Sequence, residues 1–126
     1  DMNAPVIEIL PEDYGIWFVD AMDHPENYEG KTVKFKARVM KPRGMGSKFF
    51  VPGRTAMTCC ADDTTFLGYV CKSAYAPKLT PGEWVEVTAK VGIEKRNEYQ
   101  GEEGIVLDAE HVEQCDPLED EMVYFN

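Results

Sequence analysis

Two stretches of strict period-two alternation constrain this chain more than any other feature. Val33, Phe35, Ala37 and Val39 alternate with Lys34, Lys36 and Arg38. Val85, Val87, Ala89, Val91 and Ile93 alternate with Trp84, Glu86, Thr88 and Lys90. Successive side chains on a strand point to opposite faces, so each stretch reads as a strand with one dry and one wet side. Three shorter segments join them. Thr55 to Ala61 and Phe66 to Lys72 flank the turn residues Asp62-Asp63-Thr64-Thr65, and Ile105, Leu107 and Ala109 share one face of a last strand.

A different period precedes the strands. Tyr14, Trp17, Phe18, Ala21 and Met22 recur at the spacing of one apolar helix face. Pro11 suits a first helical position, and Glu12 and Asp13 follow where negative charge favours the helix dipole. His24-Pro25 stops the pattern, because the residue before a proline avoids the helical region. The spacing predicts a helix over about 11–23. Residues 6–10 read as a short strand or extended lead-in, the glycine- and proline-rich stretch 41–54 as a long mobile loop, and the apolar tail after Pro117 as a segment packing back.

One helix followed by five strands with hairpin-length links predicts a mainly β fold. The expected architecture is a five-stranded OB-like barrel preceded by one N-terminal amphipathic helix, since closure removes the exposed edges of an open sheet. The connector SAYAPKLTPG is too short and proline-broken for the helix that often plugs such barrels, so the N-terminal helix with Trp17 and Phe18 is the expected plug. The 126 residues form one domain on this reading: 1–30 as lead-in, 31–115 as barrel and 116–126 as tail. A chain of that length buries roughly two thirds of its unfolded surface, enough for a core without metal or disulfide.

Charge narrows the function. The net charge of −10 disfavours general nucleic-acid binding, which relies on basic side chains replacing counterions. Yet from Lys31 to Arg54 there are eight basic residues and no acid, and the other five bases share the rest of the chain with all 23 acids. The alternation puts Lys34, Lys36 and Arg38 in a row outside the first barrel strand, with Lys41, Arg43 and Arg54 following. Such a flank is either a solvated face balanced by acidic neighbours or a docking surface for an anionic partner or lipid headgroups. No apolar run approaches the ~20 residues of a bilayer span. The chain opens on Asp1 with no secretory signal pattern, which predicts that a preceding segment has been removed.

Four cysteines, Cys59, Cys60, Cys71 and Cys115, form no CxxC pair and no finger spacing. Cys59, Cys60 and Asp63 could supply two thiolates and a carboxylate to a divalent metal such as zinc. Neighbours on a regular strand face opposite ways, so that site needs a strand end or a bulge. A tight turn near Asp63-Thr64 would set Cys60 against about Leu67 and leave Cys71 ~13 Å further along. The simpler reading buries Cys59 beside Met57 and Ala61 as a small hydrophobe; a vicinal disulfide is a third. His24 and His111 stand alone, no Ser/His/Asp grouping supports nucleophilic catalysis, and Gly44-x-Gly46 lacks the context of a phosphate loop. Trp84, Tyr69 and Tyr75 could stack nucleobases as in nucleic-acid OB folds, though core packing explains them equally.

The stretch HPENYEGKTVKFKARV and, after a loop, GRTAMTCCADD resemble the C-terminal domain of the YcgQ-like family of bacterial membrane-associated proteins, from about Leu10 to the end of the chain. The shared features are Asn27, Gly30, Lys31 and Val33 leading into the first strand, and an Arg…Cys-Cys-x-x-Asp pattern on Arg54, Cys59, Cys60 and Asp63. Ala37 departs from the family's glycine or other small residue, and no membrane segment is present. The resemblance implies an OB-like barrel, a cell-envelope, extracytoplasmic setting and a membrane permease as partner; it implies no reaction. The chain therefore reads as a non-catalytic binding or assembly module with no required cofactor and no nucleic-acid partner. Its partner-binding residues would be Lys34, Lys36, Arg38, Lys41, Arg43 and Arg54. A metal-binding or metal-sensing domain on Cys59, Cys60 and Asp63 is the alternative, and a single-stranded nucleic-acid-binding OB domain the weaker one.

Overall fold

The computed structural model describes residues 5–57 and 64–124. In chain order the elements are β1 (Val6–Glu8), α1 (Tyr14–Asp23, led in by a 3-10 turn at Pro11–Asp13), β2 (Thr32–Met40), β3 (Phe49–Met57), β4 (Thr64–Gly68), β5 (Val70–Lys72), β6 (Trp84–Lys95), β7 (Glu103–Gln114) and β8 (Val123–Tyr124). β2 runs antiparallel to β6 on one side and to β3 on the other. β3 is antiparallel to β4 and β5, β5 is parallel to β7, and β7 returns antiparallel to β6. With β4 and β5 taken as one strand, five strands close in the order first, second, third, fifth, fourth. That circuit is the Greek-key barrel of the OB fold.

The alternation seen in the sequence sets which way each strand faces. Val33, Phe35, Ala37 and Val39 of β2 and Val85, Val87, Ala89 and Val91 of β6 are all buried, joined by Ile105 and Leu107 of β7. The gap between β4 and β5 has a local cause. The pairs Gly53–Gly68 and Phe50–Cys71 bracket it, which sets Tyr69 opposite Pro52. Proline has no N–H to donate, so the ladder breaks there without a shift in register. Towards β2 the same proline costs nothing: Val39, its partner there, directs its N–H to Glu83 O (2.9 Å) and its carbonyl to Gly82 N (2.8 Å).

Helix α1 lays Tyr14, Trp17, Phe18 and Ala21 on the core. Trp17 packs on Phe35 of β2 with centroids 5.3 Å apart, and Phe18 stacks on Tyr69 at 4.6 Å. Such pairs prefer offset or edge arrangements and stabilise beyond the area they bury. Met22, expected on this face, is instead 59% exposed, because the buried stripe ends at Ala21. The helix stops at His24, whose N–H still bonds Asp20 O at 2.8 Å.

Two expectations are corrected. The stretch 41–54 is not one mobile loop: β3 begins at Phe49, and Met45 is buried against Val70 and Val106. Four β-favouring residues within Phe49–Met57 outweigh the punctuation of Pro52 and Gly53. Secondly, Leu67 pairs with Arg54 and not with Cys60, and the pairing of Met57 with Thr64 places the reversal earlier in the chain than Asp63-Thr64.

The barrel is not equally tight all round. β2 and β3 pair only through Arg38–Gly53, Val39–Pro52 and Met40–Val51, then diverge. β1 adds in parallel to the free half of β2, and β8 adds in parallel to the free half of β3, through Ala56–Val123 and Met57–Tyr124. Both ends of the chain thus close the seam that these two strands leave.

Candidate functional site

On β2 the outward parity carries Lys34, Lys36 and Arg38. Lys34 lies 3.7 Å from Glu86 of β6, an exposed pair of small energetic worth. Lys36, Arg38, Lys41 and Arg43 make no ion pair with any described residue. Arg38 stands in a cross-strand row with Trp84 on one side and the paired Gly53 and Gly68 on the other. The two glycines leave bare backbone, and the ring of Phe66 lies over Gly53. A side chain on Gly53 would strike that ring and Leu67 O. The aromatic cover substitutes for the missing side chain.

Beside this row runs a groove of about 440 Å³. Arg38 and Lys41 line one side, Thr55, Thr64, Thr65 and Phe66 another, and Pro81 and Gly82 the rim. It offers two cations, three hydroxyls and one aromatic face to a ligand. Arg43 is exposed in the loop beyond.

Arg54 does not belong to this flank. The sequence-based expectation placed it with the other bases, but it is 2% exposed and faces inward, on the same parity as Phe50 and Ala56. Its Nη1 donates to Pro11 O at 2.5 Å, and its Nη2 to Asp120 O (3.4 Å) and Met122 O (3.2 Å). The guanidinium lies 5.5 Å from the Tyr14 ring centroid, within cation–π range. Burial lowers its proton affinity, and nearby Tyr14 and Asp120 oppose that. Arginine still keeps its charge in proteins. It therefore clamps the lead-in of α1 to the tail, across the seam that β1 and β8 close. Its parity with Phe50 and Ala56 was the available signal, hidden because β3 was read as loop.

The remaining candidates divide cleanly. Cys59, Cys60 and Asp63 lie outside the described residues, so the proposed ligand set has no geometry here; among the described residues no group of three His, Cys, Asp or Glu could hold a metal ion. Cys71 is buried, and burial pushes its thiol well above the ordinary range. Of the three candidate stacking aromatics, Trp84 and Tyr69 are buried and only Tyr75 is exposed. Tyr69 is bound to the helix, donating to Phe18 O at 2.5 Å. His24 caps α1 and His111 lies exposed beside Glu113.

The polar loop 96–102 between β6 and β7 reads in the sequence only as a connector, and the structure gives it a packing role. Tyr99 donates its hydroxyl to Ile105 O (2.6 Å) and accepts from Val70 N (3.0 Å), and Arg96 lies 4.2 Å above the Phe49 ring. With Met45 it covers an outer apolar cluster of Val70 and Val106, packed by Phe49 and Val51.

Over residues 1–125 the sequence matches the family described as the DUF1980 C-terminal domain. The chain belongs to that family. No curated protein matches this DUF1980 C-terminal domain in sequence. Among solved structures it is similar to a chain of the S. pombe Stn1–Ten1 complex, at 10% identity and a TM-score of 0.42, covering 93% of this chain and 81% of that one. A likeness to the S. cerevisiae mitochondrial single-stranded DNA binding protein Rim1 has 10% identity and a TM-score of 0.38, covering 68% and 95%. A third, to the Entamoeba histolytica aspartyl tRNA synthetase, has 15% identity and a TM-score of 0.43, and spans 77% of this chain but 19% of that one. The OB assignment rests on the strand pairing itself.

Proposed function

We propose that this DUF1980 C-terminal domain is a non-catalytic binding and assembly module whose partner docks on the basic flank of β2 and the groove beside it. One observation carries the reading: Lys36, Arg38, Lys41 and Arg43 make no ion pair among the described residues, and Glu86, opposite Lys36, is engaged by Lys34, on a chain of net charge −10. Unpaired like charges on one face repel each other, and an anionic partner surface relieves that repulsion while steering association. Of the buried polar side chains, Arg54, Tyr14 and Tyr69 each donate to backbone carbonyls, while Trp17 Nε1 and Arg54 Nε find no partner among the described residues. The family resemblance supports a membrane permease as the partner and the cell envelope as the setting.

The test is site-specific crosslinking in cells that make the full-length protein. A photo-crosslinker in place of Lys36 is expected to capture a membrane-embedded transport protein. The triple variant Lys34→Glu, Lys36→Glu, Arg38→Glu, with the crosslinker at Lys41, is expected to lose that capture. Equal yields from both proteins would remove this flank as the docking surface. Recovery of nucleic acid in its place would favour the oligonucleotide reading, with binding that weakens steeply as salt rises.

A further inference from the structure

A second surface differs from the first in both charge and polarity. Of the seven large apolar side chains left exposed among the described residues, five lie between residues 6 and 22: Val6, Leu10, Ile16, Val19 and Met22. Ile16, Val19 and Met22 recur every three residues, so they form one stripe along α1, opposite its aromatic core face. Ile16 is 73% exposed and Met22 59%. Apolar residues scattered singly need no explanation, but a concentrated patch marks an interaction site.

Ile16, at the first turn of the stripe, lines a groove of about 450 Å³ between α1 and the tail. Gly15, Ile16, Leu118, Met122 and Val123 make it apolar, and Glu12, Glu119 and Asp120 supply carboxylates along it. The one cation present, Arg54, is almost fully buried and is occupied by three carbonyls.

Charge selects the occupant. Residues 1–30 and 97–126, which supply every groove residue except Arg54, carry 18 of the 23 acids and no Lys or Arg. An anionic bilayer is repelled from such a surface, and so is the same surface of another copy. We infer that the groove between α1 and the tail is a docking site for a basic segment of a partner protein, one that inserts an apolar anchor beside Ile16 and sets flanking Lys or Arg against Glu12, Glu119 and Asp120. This follows the helix-in-groove mode, in which apolar anchors provide affinity and charges provide direction.

A fluorescein-labelled 14-residue amphipathic Leu/Lys peptide is the probe, titrated by anisotropy and by amide chemical-shift mapping. Binding is expected to shift amides in 11–22 and 118–123, and Leu/Glu and Ser/Lys peptides of equal length are expected to bind at least about tenfold more weakly. Ile16→Asp is expected to weaken the Leu/Lys peptide about tenfold, and Glu119→Lys about threefold. Both positions are exposed, so an unchanged melting temperature will show that the fold survives. Tyr75→Asp, which adds the same charge at another exposed large side chain, is expected to leave binding unchanged. Equal losses in Ile16→Asp and Tyr75→Asp, shifts spread over the whole surface, or no binding would overturn the proposal. So would partition into anionic vesicles that Ile16→Asp abolishes, or self-association in sedimentation that the same variant abolishes.

Discussion

The wall formed by β6 and β7 and the seam between β2 and β3 close the same barrel by opposite means. β6 and β7 pair continuously from Val85–Gln114 to Lys95–Glu103, with one irregularity between Thr88 and Ala89. Their apolar parity specifies that wall, because a one-residue slip would turn Val85, Val87 and Val91 away from the core. β2 and β3 hold three pairs and then part, and closure there comes from two added strands and one buried guanidinium. The wall is made by repeated weak preferences, the seam by two short added strands and one side chain that reaches from Arg54 to Met122, more than sixty residues along the sequence. Both proposed docking surfaces adjoin the seam's strands, where the chain is held by fewer repeated contacts.

The sharpest way to break this comparison is Arg54→Met. It leaves the carbonyls of Pro11, Asp120 and Met122 without their donor and is expected to cost roughly 3 kcal/mol, a fall of about 10 °C in melting temperature. Hydrogen exchange should then lose protection at residues 6–9 and 122–124 while the β6–β7 wall keeps it. A loss spread evenly over both regions would show that the seam has no separate anchor.

Tyr99→Phe tests how the wall is fastened to β5. It removes the hydroxyl that bridges Ile105 O and Val70 N and is expected to cost about 1.5 kcal/mol, raising exchange at Val70 and leaving β1 and β8 unaffected. Stability within about 0.3 kcal/mol of the parent would mean that water replaces the hydroxyl.

The smallest effect is a pH dependence in the same loop. The Arg96 guanidinium, 2.7 Å from Glu98, holds that carboxyl below its usual value. Its folded pKa is lower than its unfolded one of about 4.3, so the stabilisation is complete above the unfolded value and is lost as pH falls through the folded one. Solvent reaches both side chains, so the contribution is well under about 1 kcal/mol. Glu98→Gln should lower stability slightly at neutral pH and flatten part of the acid-side decline; superimposable pH curves for the two proteins would exclude the pair.

How much of this could be read beforehand follows the same division. The alternations at 33–39 and 85–93 and the helix stripe Tyr14, Trp17, Phe18 and Ala21 were legible, because period records which side of an element is dry. The outward row of Lys34, Lys36 and Arg38 followed from the same parity. β3 was legible only from Thr55, because Pro52 and Gly53 resemble loop punctuation, and Arg54 was misplaced with it.

By itself, then, the sequence determined the barrel class, the plug helix and the basic flank, since each is a local pattern repeated over several residues. Tertiary structure alone decided where Arg54 points, how β1 and β8 complete the seam, and that acids from both ends of the chain meet beside an apolar groove. Those outcomes depend on contacts between distant segments, and no local period encodes which distant carbonyl a buried guanidinium will find.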